Sequence, residues 1–280
     1  MTMVRIVSDT STLYSSKQAE EAGFSVAPLS VTIGGETFRE FDEISSERFV
    51  EKIREGNMPT SSQPAIGEVA EVFEQFPEDE ILNISMAHGL SGTYTSACAA
   101  AEMVEGGDRI TVLNSRTLCG PHRYMVENAV RLAKEGKSKA EILADCERLM
   151  QTDKSYLMPD DFDYLRRGGR VSPLVSYVGR AAHLAPVMTQ TEDTTQLTIA
   201  AVRRSFEQAI RYVGKCLEER GVGKGWRIYI THAAAMEKAQ RAHEILVKEF
   251  PEAVFEILPL SPAFITQGGP RCVAVQVIHE

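Results

Sequence analysis

The feature that most constrains the fold is a short apolar run that leads into a turn rich in hydroxyl groups. The run covers residues 81–85, and the turn Leu90-Ser91-Gly92-Thr93 opens a stretch of small residues. This order predicts a strand, a turn and then a helix. The first N–H groups of a helix lack acceptors within it, and the helix dipole adds partial positive charge there. The segment is therefore either an ordinary helix cap at Ser91 or a binding site for an anion.

The same alternation of strand and helix patterns runs through the first half of the chain. Strands are predicted at residues 4–8, 25–33, 80–85 and 109–113, and helices at residues 46–54, 66–76, 93–104, 119–134 and 139–150. Such alternation predicts a mostly parallel sheet covered by helices, in a three-layer, Rossmann-like α/β domain. The pair Gly34-Gly35 predicts a hairpin turn inserted into this pattern.

The second half of the chain has fewer helices for each strand. A hairpin is predicted at residues 185–189 and 196–202, followed by strands at residues 227–231, 253–258 and 272–278 and helices at residues 206–219 and 236–250. This pattern predicts a two-layer α/β domain with antiparallel strand pairs. A short helix is also predicted to begin near Ser172. We expect the two domains to span residues 1–158 and 159–280.

Composition argues against several classes of function. Of the 280 residues 39 are acidic and 30 basic, and the net charge of −9 disfavours binding to nucleic acid or to anionic membranes. The 5 cysteines form no Cys-x-x-Cys pair, which fits neither a zinc site nor a disulfide framework. A strand pattern begins at once, which leaves no signal peptide, and no segment has the character of a membrane span. We therefore expect a cytoplasmic protein without a metal site or stable membrane insertion.

Two further polar turns are candidates for the same kind of site as Ser91. One is Ser61-Ser62-Gln63-Pro64, between two predicted helices, where Pro64 suits the first turn of the second helix. The other covers residues 264–271 and contains Gln267-Gly268-Gly269-Pro270. Taken singly, such turns are ordinary connections between elements.

In their order and spacing, motifs along nearly the whole chain resemble the DegV family of bacterial fatty-acid-binding proteins. The motifs are Val7-Ser8-Asp9-Thr10-Ser11, Ala27-Pro28-Leu29, Ser61-Ser62-Gln63-Pro64, Leu90-Ser91-Gly92-Thr93-Tyr94, Leu165-Arg166-Arg167-Gly168-Gly169-Arg170, Ala185-Pro186-Val187, Val202-Arg203 and Thr231-His232-Ala233. The family includes the fatty-acid-binding subunit of bacterial fatty acid kinase. The resemblance implies two α/β domains with a long-chain fatty acid at their interface and no other cofactor. It also implies that the chain is not itself an enzyme. A separate ATP-dependent kinase subunit would turn the presented carboxylate into an acyl phosphate for phospholipid synthesis.

The resemblance also implies a set of site residues. The carboxylate would be held by Ser61, Ser62, Ser91, Gly92, Gln267 and Gly268. Arg170 and Arg203 would serve the polar end of the site or partner docking, or would be surface arginines paired with acidic residues. The apolar residues Leu174, Tyr177, Val178, Phe264 and Ile265 are candidates for the lining of the tunnel, although each also suits an ordinary core. Hydroxyl, amide and backbone donors can hold a carboxylate without a buried cation. Gln267 stands where the family commonly has a histidine. An amide can donate a hydrogen bond, but unlike histidine it does not take up a proton or become positively charged. This exchange therefore bears on coupling to a kinase rather than on binding.

An alternative interpretation makes the chain a metal-dependent enzyme acting on a small phosphate ester or a phosphoryl-transfer substrate. Asp160, Asp161 and Asp163 are the one dense group of carboxylates for such a metal, although they also suit the start of a short helix leading to Leu165. A serine hydrolase built on Ser91 would lack the Gly-x-Ser-x-Gly elbow, and no glycine motif fits a nucleotide site. The lipid carrier remains the preferred interpretation.

Overall fold

The computed structural model describes residues 3–172 and 184–280, and the chain folds into two compact units. The first consists of Met1–Gln151 together with Ser261–Ala263, and the second of Thr152–Leu260 together with Phe264–Glu280. Each unit has its own main sheet, one parallel and one mixed. The expected α/β architecture, with a Rossmann-like unit followed by a unit rich in antiparallel pairs, is confirmed.

The first unit is built on a four-stranded parallel sheet in the order β2-β1-β6-β7. Its strands are β1 Val4–Asp9, β2 Ser25–Ala27, β3 Ser30–Ile33, β4 Glu36–Arg39, β5 Thr60–Ser62, β6 Glu80–Ser85 and β7 Ile110–Asn114, and its helices are α1 Ser16–Ala22, α2 Ser46–Arg54, α3 Ile66–Glu74, α4 Thr93–Met103, α5 Cys119–Lys134 and α6 Lys139–Met150. A small antiparallel sheet, β4-β3-β5, stands apart from the main one. As predicted, the hairpin of β3 and β4 turns at Gly34-Gly35. Both glycines have positive φ.

Helices cover the main sheet of the first unit on both faces. Val7 belongs to an apolar cluster that includes Phe73 of α3 and Ala97 of α4. Its neighbour Ser8 is hydrogen-bonded to His122 of α5. Since consecutive residues of a strand point to opposite faces, α3 and α4 lie on one side of the sheet and α5 on the other.

The second unit has a six-stranded sheet in the order β10-β9-β8-β13-β11-β12. Its strands are β8 Lys154–Met158, β9 Ala185–Gln190, β10 Leu197–Arg203, β11 Trp226–His232, β12 Val254–Pro259 and β13 Val273–His279, and its helices are α7 Phe162–Gly168, α8 Phe206–Glu219 and α9 Met236–Glu249. Among these described strands, every pair is antiparallel except β11 with β12. Buried apolar residues of α8 and α9, such as Val213 and Leu246, pack with alternate residues of β13 into one core.

The structure corrects several of the predicted elements. Ser61 and Ser62 lie in strand β5 rather than in a turn, and residues 264–268 belong to a helix, α10 (Pro262–Gly268). The predicted strand at residues 25–33 is two strands, β2 and β3. Pro64 precedes α3, whose N-cap is Ala65, so it lies outside the first turn. The helix predicted near Ser172 falls on residues outside those described.

Candidate functional site

The order of the parallel strands identifies one edge of the first unit as a natural place for a ligand. The chain leaves β1 toward β2 on one side, whereas β6 and β7 lie on the other side. The carboxyl ends of β1 and β6 are therefore the point where the strand order reverses. In open α/β sheets, ligands bind in the crevice at this point.

The carboxylate of Asp9 joins the loops that come after these two strands. Its Oδ1 accepts a hydrogen bond of 2.9 Å from the N–H of Ser11, and its Oδ2 accepts one of 3.0 Å from the N–H of Met86. Asp9 is also the N-cap of the short 3₁₀ turn Thr10–Thr12. One buried side chain thus fixes where both loops begin, including the loop that leads to Ser91.

His122 of α5 also connects β6 with the turn that follows β1. Its Nε2 lies 3.0 Å from the carbonyl oxygen of Ile84, and its Nδ1 lies 2.6 Å from the hydroxyl of Ser11. Since a carbonyl only accepts, Nε2 carries the proton and Nδ1 accepts from Ser11. Burial lowers the pKa of His122, which favours this neutral form. His232 likewise has a structural bond, because its Nδ1 accepts from the N–H of Ala235 at 3.2 Å.

Ser91 caps helix α4 from one position before the N-cap. The N-cap residue is Gly92, and the Oγ of Ser91 accepts from the N–H of Thr93 at 3.3 Å. The hydroxyls of Ser91 and Thr93 are 2.8 Å apart. When Thr93 donates in this pair, Ser91 has its own O–H left for a ligand.

Gln63 brings the Ser-Gln-Pro segment and the Ser-Gly-Thr segment together in the first unit. Its side-chain amide lies flat against Gly92, where an added Cβ would stand 2.3 Å from Oε1 and 2.6 Å from Cδ. Its Nε2 donates to the hydroxyl of Ser96, at 3.3 Å. Two of the three candidate segments are therefore neighbours, a contact that only a glycine at position 92 permits.

Ser61 and Ser62 present their side chains from strand β5. They pair with Val31 and Ser30 of β3. Ser61 is half-buried and Ser62 is exposed. As consecutive residues of a strand, the two side chains point to opposite faces, so they cannot both approach one ligand from the same side.

The third candidate segment forms the last turn of α10 and the residues directly after it. In the second unit, the amide of Gln267 lies against Gly168, where an added Cβ would stand 2.0 Å from its Oε1. Gly268 packs closely on Cys272, and Gly269 ends the helix at φ +78°. The Leu-Arg-Arg-Gly-Gly-Arg motif and the Gln267 segment are thus in contact, as two parts of one unit.

The two candidate arginines, Arg170 and Arg203, are held by local contacts. Arg170 donates from Nη1 to the carbonyl oxygen of Gly168. The guanidinium of Arg203 lies 4.3 Å from the ring centre of Tyr212, and its Nη1 donates to the carbonyl oxygen of Val202 at 2.9 Å.

Only part of the predicted tunnel lining can be placed. Ile265 is fully buried and Phe264 half-buried, both on α10. The other three positions, Leu174, Tyr177 and Val178, lie outside the described residues.

The acidic group of the alternative interpretation is engaged in other contacts. Asp160 forms ion pairs with Lys238 and with Arg271, the latter at 3.0 Å. Asp161 caps α7 by accepting from the N–H of Asp163 at 2.9 Å. Within residues 3–172 and 184–280, no cluster of three or more His, Cys, Asp or Glu side chains is arranged to hold a metal ion. In the same described ranges, no helix is both long and apolar enough to cross a membrane.

The sequence predicts no site role for Asp9 or Glu40, and it places Gln63 only within the candidate turn Ser61-Ser62-Gln63-Pro64. Asp9 is the last residue of the buried strand β1, and a carboxylate at the end of such a strand is a signal that can be read in the sequence. The contacts of Gln63 and Glu40 join distant parts of the chain and have no local signature.

Comparison with known proteins agrees with this architecture. The model of the DegV family matches residues 3–280. A DegV domain-containing protein of Halalkalibacterium halodurans is 30% identical over 279 residues, which cover 98% of each chain. The DegV protein of Bacillus subtilis, a fatty-acid-binding protein, superimposes with a TM-score of 0.88 at 26% identity over 100% of both chains. A fatty-acid-binding DegV family protein of Thermus thermophilus gives the same score and identity over 99% of this chain and 100% of its own. The chain belongs to the DegV family.

Proposed function

We propose that this chain is a cytoplasmic carrier that binds one long-chain fatty acid. The observation that carries the proposal is the match, over the full chain, to two solved DegV proteins that bind fatty acids. A second observation supports it. The Ser91–Gly92 segment and the Gln63 segment meet beside the reversal of strand order, a place that suits a ligand.

The proposed carboxylate site combines neutral donors. In the first unit these are the hydroxyl of Ser91, the N–H of Gly92 at the start of α4, and the hydroxyl of Ser61 or of Ser62, whichever of the two faces the ligand. A carboxylate moved out of water needs hydrogen bonds, because its desolvation otherwise cancels the gain from burying the tail. The helix start adds partial positive charge. Gln267 and Gly268 are proposed as further donors, and Arg170 and Arg203 as the polar end or docking surface.

The proposed tail site is apolar. A chain of about 14 methylenes gains on the order of 10 kcal/mol from complete burial, at roughly 0.8 kcal/mol for each methylene. Ordering of the ligand reduces this figure, and the remainder still permits tight binding. Phe264 and Ile265 are proposed lining residues, together with Leu174, Tyr177 and Val178, which lie outside the described residues.

We further propose that the carrier is not itself an enzyme and presents the carboxylate to a separate ATP-dependent fatty acid kinase subunit. Neutral donors fit this role because they release the carboxylate more readily than a buried cation would. The test is acyl phosphate formation, trapped as the hydroxamate, when loaded protein, ATP and the kinase subunit are combined. An ATP-dependent product supports the step, and its absence with fully loaded protein contradicts it.

The head-group assignment is tested by Ser91→Ala. Removing a donor from a buried carboxylate is expected to weaken fatty-acid binding by about 1–3 kcal/mol, measured by displacement of a fluorescent fatty acid. Ser45→Ala is the matched control, because Ser45 also caps a helix, α2, but lies outside the proposed site. We expect the control to lose stability while keeping its affinity. Equal affinities of Ser91→Ala and the unmodified protein would remove Ser91 from the site.

A further inference from the structure

A fully buried carboxyl group, Glu40, joins three distant parts of the first unit. It comes directly after β4 and is 0% exposed. Its Oε1 accepts from the hydroxyl of Thr10, and its Oε2 accepts from the N–H of Ala263 at 2.8 Å. The side chain of Ser261 is also hydrogen-bonded to it. Thr10 Oγ1 in turn accepts from the N–H of Leu29 at 3.0 Å.

This arrangement holds the beginning of helix α10. Ala263 is the second residue of α10, and its N–H is one of the donors that a helix leaves without an internal acceptor. The acceptor comes from a residue 223 positions earlier in the chain. The same short helix ends at Gly268 and carries Gln267 in its last turn.

We propose that Glu40 is a positioning residue that holds the segment Ser261–Ala263, where α10 begins, and that proton uptake tightens this hold. The hold on residues 261–263 stands on the geometry alone.

The environment of Glu40 gives the direction of the proton effect. Burial raises the pKa of Glu40 to about 7, and the hydrogen bonds from Thr10, Ala263 and Ser261 only partly oppose it. Asp9, at the end of β1, is the charged group that faces it, and its charge also raises this pKa. The other two packing segments, around Leu29 and at Ser261–Ala263, contain no titratable side chain. On the loop of Glu40 itself, Asp42 is bonded to Ser16 and Glu43 to Arg39.

When the segment opens, Glu40 meets water and its pKa returns toward the ordinary value of about 4.5. The closed state therefore binds the proton more tightly and is favoured as the pH falls. With the closed-state pKa near 7, the opening equilibrium rises about tenfold between pH 6 and pH 8.

Hydrogen–deuterium exchange of a peptide that covers residues 261–268, corrected for the intrinsic pH dependence of exchange, tests the proposal. In the unmodified protein we expect about tenfold less protection at pH 8 than at pH 6. Glu40→Gln is a neutral mimic of the protonated side chain, so its protection is expected to stay near the pH 6 level at both pH values. Glu43→Gln, an exposed position on the same loop, is expected to retain the tenfold change.

Two results would overturn the proposal: equal protection at both pH values in the unmodified protein, or an unchanged tenfold effect in Glu40→Gln. If Glu40→Gln fails to fold, Ser261→Ala takes its place, and it is expected to lower protection at both pH values while keeping the pH effect. Fatty-acid affinity is measured on the same samples. Absence of any fatty-acid binding refutes the proposed function, whereas the exchange data alone decide the hold on α10.

Discussion

Replacement of Gly92 by alanine tests the contact that joins the two polar segments of the first unit. The backbone of Gly92, at φ −74° and ψ 2°, accepts alanine without strain. The new Cβ, however, would stand 2.3 Å from Oε1, 2.6 Å from Cδ and 2.7 Å from Nε2 of Gln63. Three atoms of one amide are too close, so the amide of Gln63 has to move away from this position.

The cost of Gly92→Ala comes from the contacts that Gln63 loses. The displaced amide gives up its 3.3 Å hydrogen bond to Ser96, and such a bond contributes about 1 kcal/mol. Gln63→Ala removes the same bond and is expected to cost about the same amount. In the double variant the alanine at position 92 no longer meets an obstacle. The double variant is therefore expected to cost about 1 kcal/mol less than the sum of the two single variants, and this difference is the coupling between the sites.

Urea denaturation of the four proteins measures this coupling, provided the dependence on denaturant is unchanged. Gly67→Ala is the matched control, since Gly67 lies in α3 with nothing within 4 Å of an added Cβ. It is expected to be neutral or to stabilise by up to about 1 kcal/mol. Additive costs of Gly92→Ala and Gln63→Ala would refute the reasoning, because they would mean that the amide does not occupy the space beside Gly92.

The remaining predictions concern the second unit and the dependence of stability on pH. Gly168→Ala displaces the amide of Gln267 and is expected to lower the urea midpoint, whereas Gly223→Ala, which meets nothing within 4 Å, is expected to leave it unchanged. Because its pKa is raised from 4.5 to about 7, Glu40 is expected to remove roughly 3 kcal/mol of stability as the pH rises across that interval. Glu40→Gln should lose this effect in denaturation at a series of pH values. In the Glu40→Gln variant, the lowered pKa of His122 is expected to reduce stability as the pH drops below 6.5, because the unfolded chain then binds a proton more readily than the folded one. A stability that does not change with pH in this range would contradict this.

Local sequence patterns predict a helix or a turn correctly where the signal lies within the element itself. The bounds of α2, α5 and α6 follow from their apolar spacing, and α2 and α6 also begin at a capping serine. The Gly-Gly pair predicts the hairpin of the first unit, and the order of strands and helices predicts the architecture of both units. Helix α1 has no counterpart among the predicted helices, although Ser15 and Gln18 form a capping box, which is a readable local signal.

The elements that the sequence misplaced depend on distant partners. Strand β5 has no alternation of apolar and polar residues, and its conformation comes from pairing with β3, about thirty residues earlier. Helix α10 has only seven residues and runs into Gly-Gly-Pro, so its sequence predicts a turn. Its first turn is held by Glu40, which no local window contains. The same reason explains why the neighbouring positions of Gln63 and Gly92 could not be inferred from sequence.

The central claim is that this chain carries a long-chain fatty acid, and mass spectrometry of the purified protein tests it most directly. A native mass is recorded beside the mass spectrum of an organic extract. We predict a native mass increased by one fatty acid and a single class of long-chain acid in the extract, at about one molecule for each chain. A protein whose native mass equals that of the bare chain, and that takes up no long-chain acid on incubation, would contradict the account.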